Sequence, residues 1–119
     1  MILALDIGNT NVVLGCIADG EILFTERMAT DSGKTELDYA ISLKMVLELR
    51  EIKVSEITGA IIGSVVPPVT SLMREAMRIF CMCFCLRLCM DSSRRSSQRF
   101  WRRLATVSAR CITRAVWKC

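Results

Sequence analysis

The chain opens with the stretch that decides its fold, Met1-Ile2-Leu3-Ala4-Leu5-Asp6-Ile7-Gly8-Asn9-Thr10-Asn11. The first seven residues are almost all apolar, and the next four are of types that favour loops. A short apolar run of this kind is typical of a strand that is buried on both faces. The sequence therefore predicts a central strand over residues 1–7 that ends in a polar loop.

Two more strands are predicted after the loop, over residues 12–18 and 21–28. Asp19-Gly20 separates them, and this pair favours a tight antiparallel hairpin because both positions tolerate a positive φ. Alternation along the third strand predicts two different faces. The apolar face consists of Ile22, Phe24 and Met28, and the solvent face consists of Glu21, Thr25 and Arg27.

A helix is predicted next, over residues 36–51. Thr35 and Asp38 have the spacing of a capping box, with aspartate in place of the usual glutamate. Apolar side chains then recur at helical spacing, and they are Leu37, Ala40, Ile41, Leu43 and Leu47. We expect these five side chains to form the buried face of the helix.

A fourth strand over residues 58–66 and a second helix over residues 69–80 complete the pattern. Pro67-Pro68 separates them, because proline cannot continue a central strand. The apolar positions of the second helix are Leu72, Ala76 and Ile79. The order is β-β-β-α-β-α, which is an α/β fold. A right-handed crossover would place the fourth strand parallel to the first in a mixed sheet.

The composition of the 119-residue chain changes at residue 80. Residues 1–80 contain 11 acidic and 7 basic side chains, whereas residues 81–119 contain nine basic side chains and one acid, Asp91. Six of the seven cysteines and both tryptophans lie in the second part, which has no glycine and no proline. We expect one domain over residues 1–80 and a poorly ordered, Cys- and Arg-rich tail over residues 81–119.

The sequence contains no signal for export or membrane insertion. No basic segment precedes the first apolar run, and Asp6 interrupts it. The longest apolar run, residues 79–86, is much shorter than the ~20 residues of a spanning helix. We expect a cytoplasmic protein with no membrane partner and with reduced cysteines.

The loop over residues 8–11 is the main candidate site. Gly8 would let an anion approach the backbone, and the amide and hydroxyl side chains beside it offer short donors. Asp6, at the end of the strand, is a hard oxygen ligand that suits Mg²⁺. The alternative is that the loop is only a hairpin turn and that Asp6 caps it.

Three motifs in this order resemble the N-terminal part of type III pantothenate kinases. They are Asp6-Ile7-Gly8-Asn9-Thr10-Asn11, Lys34-Thr35-Glu36-Leu37 and Ser64-Val65-Val66-Pro67. The resemblance covers residues 1–80, and we expect it to stop there. It implies a ribonuclease-H-like, actin-like ATPase fold in which β-β-β-α-β-α begins the first of two similar domains, so that the chain is a truncated half-domain.

The same resemblance implies an activity and its cofactors. The γ-phosphoryl group of ATP would be transferred to pantothenate, which is the first step of coenzyme A synthesis. Family members are cytoplasmic homodimers that use Mg²⁺ and a monovalent cation, K⁺ or NH₄⁺. The implied ATP-binding residues are Asp6, Ile7, Gly8, Asn9, Thr10, Asn11, Val12 and Val13, with Asp6 positioning the metal. Residues 64–67 either line the same cleft or simply end the strand.

Other motifs of the family do not occur in the sequence. These are a Gly-x-Asp-Arg motif whose aspartate is the general base, a second phosphate motif and an adenosine motif. Asp91 lies between Met90 and Ser92 and is not assigned the role of the base. We therefore predict no catalytic residue and no turnover. We also expect the missing strands to leave an apolar sheet edge and one helix face uncovered, which favours aggregation.

The tail has three interpretations. Cys81, Cys83, Cys85 and Cys89 would form a thiolate cluster, although they lack the paired spacing of structural zinc sites. Its arginines and aromatic residues would instead bind nucleic acid, which would make the chain a non-enzymatic nucleotide- or nucleic-acid-binding regulatory module. We favour the third interpretation, out-of-frame translation, and expect no nucleic-acid partner.

Overall fold

The computed structural model describes residues 1–80 in full and the backbone of residues 87–91, and the structural statements below concern these residues. The elements are β1 (Ile2–Ile7), β2 (Asn11–Ala18), β3 (Glu21–Ala29), α1 (Glu36–Leu49), β4 (Gly59–Ser64), α2 (Pro67–Phe80) and β5 (Arg87–Asp91). A 3₁₀ turn, Val54–Glu56, precedes β4. The predicted order β-β-β-α-β-α is confirmed, and β5 is an additional strand.

The strands form one mixed sheet in the order β3-β2-β1-β4-β5. β1 is antiparallel to β2 and parallel to β4, which confirms the predicted mixed sheet. β5 pairs in parallel with β4. The expectation that this edge of the sheet lies bare is therefore wrong. The parallel strands β1, β4 and β5 have their carboxyl ends at the same end of the sheet, and the candidate loop lies at this end.

The hydrophobic core lies between one face of the sheet and the two helices. The sheet contributes alternate residues of three strands: Leu3, Leu5, Ile7, Val12, Leu14, Cys16, Ala60 and Ile62. The helices contribute Tyr39, Ala40, Leu43, Leu47, Val69, Met73, Ala76 and Met77. Each leucine-sized side chain buried here contributes about 1.5–3 kcal/mol. Ala4, on the other face of β1, is also buried, so the middle of this strand is covered on both faces.

The β2–β3 hairpin turns at the predicted pair. Asp19 has a φ of 52° and Gly20 a φ of 85°, so both adopt the left-handed conformation that a tight two-residue turn requires. The hairpin prediction is confirmed.

A β-bulge follows this turn and changes one face assignment. Cys16 lies opposite Phe24, whereas Ile17 lies opposite Ile22, so Leu23 is an extra residue in β3. An extra residue moves the side chains before it to the other face of the strand. The prediction that Ile22 shares a face with Phe24 is therefore wrong, and Ile22 is 37% exposed.

The predicted buried face of helix α1 is confirmed for Ala40, Leu43 and Leu47 and wrong for the other two residues. Leu37 and Ile41 are 54% and 49% exposed, although we expected them in the core. The buried face consists of Tyr39, Ala40, Leu43 and Leu47. Because α1 carries apolar residues on two sides, their spacing alone does not identify the side that meets the sheet.

Helix α2 begins earlier than predicted, because Pro67 and Pro68 occupy its first turn. Proline fits there because the N–H groups of the first residues of a helix have no acceptor within the helix. Of the apolar positions noted in the sequence, Ala76 is buried and Ile79 is 41% exposed. The buried residues of α2 are Val69, Thr70, Met73, Ala76 and Met77.

The predicted capping box starts α1. The Asp38 N–H donates to Thr35 Oγ1 (3.2 Å), and the Thr35 N–H donates to the Asp38 carboxylate (2.9 Å). The backbone N–H of Thr35, and then its hydroxyl, lower the pKa of the Asp38 carboxyl because they stabilise its charged form.

We expect Thr35→Ala to destabilise the protein by about 1 kcal/mol, because one N–H of the first turn loses its acceptor. Urea unfolding at neutral pH measures this difference. Thr35→Ser keeps the hydroxyl and should stay close to wild type. Equal losses in the two variants would contradict a role for the hydroxyl.

Asp38 should also make stability depend on acid pH. Its pKa is lower in the folded than in the unfolded chain, so its stabilisation is present above the unfolded value and is lost as pH falls through the folded value. Asp38→Asn should therefore lose less stability than wild type on acidification, as thermal melts at several pH values would show. Parallel curves for the two proteins would contradict this assignment.

None of the helices in the described part of the chain is long and apolar enough to cross a membrane. All three interpretations of the tail concern residues 81–119, which lie outside the residues whose side chains are described.

Candidate functional site

The candidate loop connects β1 to β2, so the hairpin interpretation is right about connectivity. The Gly8 N–H donates to the Asn11 carbonyl (2.9 Å) and closes the loop. Within residues 1–80, a positive φ occurs only at Asp19, Gly20 and Glu51, so this loop needs no left-handed residue. Gly8 is favoured by space instead, because a Cβ there would lie 3.1 Å from the Asn11 carbonyl oxygen, a tight contact.

The loop is fixed from two sides. On the β3 side, Thr30 Oγ1 donates to the Gly8 carbonyl (2.7 Å) and the Thr30 N–H donates to the Thr10 carbonyl (2.9 Å). On the β4 side, the Val65 N–H donates to the Ile7 carbonyl (3.1 Å). The backbone of the loop is therefore held in one conformation before any ligand binds.

The predicted site residues fall into two groups. Ile7 and Val12 are fully buried in the core, so their side chains support the loop from beneath. The side chains of Asn9, Thr10 and Asn11 are exposed, and Gly8 and Val13 are partly exposed. The exposed group offers amide and hydroxyl donors above a glycine, which is a suitable surface for an anion.

Asp6 lies beside this loop on the face of the sheet away from the helices. In the sheet it is opposite Val13 on one side and Gly63 on the other, and it is partly exposed. A carboxylate in this setting fits Mg²⁺, which prefers oxygen ligands and keeps several waters. Among the described residues, no three or more His, Cys, Asp or Glu side chains gather into a metal site.

Ser64 and Val65 lie next to Ile7, the residue before the loop, and the role of residues 64–67 in a ligand cleft stays a prediction. Ser64 is opposite Ile7 in the sheet, and its Oγ accepts a hydrogen bond from the Val66 N–H (3.0 Å). Pro67 and Pro68 carry no backbone N–H, so the first turn of α2 has few donors for an anion. The loop is therefore the main source of backbone donors at this edge of the sheet.

The Lys34-Leu37 motif has a structural role at the start of α1. Thr35 caps the helix, and the Lys34 ammonium lies 5.5 Å from the centre of the Tyr39 ring. The sequence reasoning missed Thr30, which contacts the loop directly. Thr30 reaches the loop because β2 pairs with β3. None of the three sequence motifs includes Thr30.

Comparison with known proteins agrees with this arrangement. A sequence model of the type III pantothenate kinase family matches residues 2–96. The chain is 46% identical to a type III pantothenate kinase of Finegoldia magna over 63 residues, which are 53% of this chain and 24% of that protein. The family match continues to residue 96, beyond residue 80, where we placed the end of the resemblance.

Two solved structures share the fold. A putative N-acetylglucosamine kinase from Porphyromonas gingivalis has a TM-score of 0.57 at 18% identity, over 76% of this chain and 34% of its own. A Bacteroides thetaiotaomicron protein of unknown function with an actin-like ATPase fold has a TM-score of 0.52 at 12% identity, over 90% of this chain and 37% of its own. The predicted actin-like, ribonuclease-H-like half-domain is confirmed.

The chain spans about a quarter of the length of the curated relative, and the family match covers most of the residues that the chain has. The matched region includes β1, the loop, Asp6 and the start of α2, which together form the candidate site. This chain belongs to the type III pantothenate kinase family.

Proposed function

We propose that the chain binds the phosphates of ATP with the loop over residues 8–11 and holds the accompanying Mg²⁺ with Asp6. The main support for this proposal is that Thr30 holds the loop and Val65 holds the residue before it by hydrogen bonds. The exposed donors of the loop therefore lie in a fixed place next to a carboxylate. Donors that are fixed in advance bind an anion without the cost of ordering the loop.

The residues would act on the nucleotide by position and charge. Gly8 keeps the turn tight, because it lies against the Asn11 carbonyl. The exposed residues Asn9, Thr10 and Asn11 would surround a phosphate with N–H and hydroxyl donors. Mg²⁺, when bound, would neutralise phosphate charge that builds up during transfer. Asp6 would fix the position of the ion relative to the loop, so the phosphates are held in one orientation.

In the whole enzymes of the family we propose that this site serves the phosphorylation of pantothenate. The further family properties that we propose are a monovalent cation, K⁺ or NH₄⁺, a homodimer and a cytoplasmic location. For the 119-residue chain itself, we propose ATP binding without transfer. The sequence has no glycine after Gly63 and thus no Gly-x-Asp-Arg base.

A coupled assay for ADP release, with ATP, Mg²⁺ and pantothenate, tests the proposed lack of transfer. We expect no release above the background of a chain-free control, because no base is positioned to take the proton of the acceptor hydroxyl. A complete member of the family in the same buffer shows that the assay detects transfer. Pantothenate-dependent ADP release by the 119-residue chain would contradict the proposal.

A further inference from the structure

We infer that Thr30 is a positioning residue of the phosphate loop and that its hydroxyl turns the Asn9 backbone N–H toward the ligand. The inference rests on the proposed function of the loop. Thr30 immediately follows β3, outside the three motifs that identify the family. It makes two hydrogen bonds to the loop, one from its hydroxyl and one from its backbone N–H.

The geometry of the peptide bond determines what these two bonds do. A trans peptide is planar, and its N–H points opposite to its C=O. The Gly8 carbonyl points to Thr30 Oγ1, so the Asn9 N–H points away from Thr30. The Thr10 carbonyl accepts from the Thr30 N–H, which holds the other end of the turn, and the Asn11 carbonyl accepts from the Gly8 N–H, so Asn11 faces the end of β1. The Asn9 N–H is thus the one that is directed away from the anchor at the exposed turn.

Thr30 is itself held by the core. Its neighbour Asp31 donates its N–H to Tyr39 Oη (2.9 Å), and Tyr39 Oη donates to the Asp31 carbonyl (2.8 Å). Tyr39 is fully buried between α1 and the sheet. A continuous set of contacts therefore joins the core to the loop through Tyr39, Asp31 and Thr30, and this gives Thr30 a fixed position from which to orient the loop.

The two bonds can be separated by substitution. Thr30→Val keeps the backbone N–H and the shape of the side chain but removes the hydroxyl, which frees the Gly8–Asn9 peptide to rotate. Thr30→Ser keeps the hydroxyl. Thr58→Val is a matched control, because Thr58 Oγ1 donates to the Met1 carbonyl (3.1 Å) at the opposite end of β1. It removes a bond of the same kind far from the loop.

The experiment is an NMR titration of the ¹⁵N-labelled 119-residue chain with pyrophosphate and with MgATP. In wild type we expect a large amide shift at Asn9. Thr30→Val should lose this shift and about tenfold in MgATP affinity, which is the size of effect that one ordering hydrogen bond supports. Thr30→Ser and Thr58→Val should keep both the shift and the affinity.

Every other result contradicts either the proposed function or the inference about Thr30. If wild type binds neither pyrophosphate nor MgATP, the proposed function fails and the inference fails with it. If wild type binds but Thr30→Val binds equally well with the same shifts, only the inference is wrong. The inference is also wrong if wild-type binding shifts other amides and leaves Asn9 unchanged, a result that needs no variant to fold.

Discussion

Asp6→Asn is expected to lower the affinity of the chain for MgATP by about ten- to a hundredfold. The substitution keeps the size of the side chain but removes the negative charge that would bind Mg²⁺. Asp6 is partly exposed and lies outside the hydrophobic core, so the fold should survive. Calorimetric titration of both proteins with ATP at saturating Mg²⁺ measures the difference.

Two controls make this result specific to the metal. In EDTA the two proteins should bind ATP equally, or Asp6→Asn slightly better, because a carboxylate repels phosphate when no cation lies between them. Asp19→Asn makes the same chemical change in the β2–β3 turn, where asparagine tolerates the positive φ. It should leave MgATP affinity unchanged. An equal loss with and without Mg²⁺ would show that Asp6 acts on the loop and not on a metal.

Leu43→Ala should destabilise the protein by about 2–5 kcal/mol, whereas Leu37→Ala should change stability by less than about 0.5 kcal/mol. Both leucines are on α1, but Leu43 is fully buried and Leu37 is 54% exposed. This loss would be a large fraction of the total stability of a small domain, which is about 5–15 kcal/mol. Urea unfolding of the two variants measures both values.

The pair tests the structure against the spacing in the sequence, which predicts that Leu37 and Leu43 are both buried. Leucine and alanine have similar helix propensities, so the difference between the two sites reports burial. A large loss at Leu37, or a small one at Leu43, would mean that α1 packs on the sheet through the stripe formed by Leu37, Ile41, Met45 and Leu49. That stripe is 49–79% exposed in the structure.

The parts of the fold that short-range patterns specify were predictable. The apolar run before Asp6 identified β1, the Asp19-Gly20 pair identified the β2–β3 turn, and Thr35 with Asp38 identified the start of α1. Each of these depends on residues that are neighbours along the chain, so the local sequence contains the necessary information.

The errors arose where the answer depends on distant contacts. The side of α1 that meets the sheet depends on how Tyr39 and Leu43 fit the strands, and both sides of α1 are apolar. One extra residue at Leu23 was enough to move Ile22 to the other face of β3. Pairing of β5 with β4 was not predicted, because composition alone suggested a break at residue 80.

The position of the candidate site was predictable from the sequence, but some of its contacts were not. Asp6 and the polar loop follow a buried strand, so their position at the carboxyl end of β1 was expected and is observed. The reason for Gly8 was not, because the group that lies close to it is the Asn11 carbonyl oxygen, whereas we expected an anion there. Thr30 reaches the loop only through the register between β2 and β3, which no motif encodes.

The most direct test of the central claim is an equilibrium titration of the full 119-residue chain with ATP in the presence of Mg²⁺. The claim is that the loop over residues 8–11 and Asp6 together bind the phosphates of ATP. It predicts saturable binding of one nucleotide per chain, displaced by pyrophosphate and weakened in Asp6→Asn. Absence of binding at millimolar ATP, or binding that neither pyrophosphate nor Asp6→Asn changes, would contradict it.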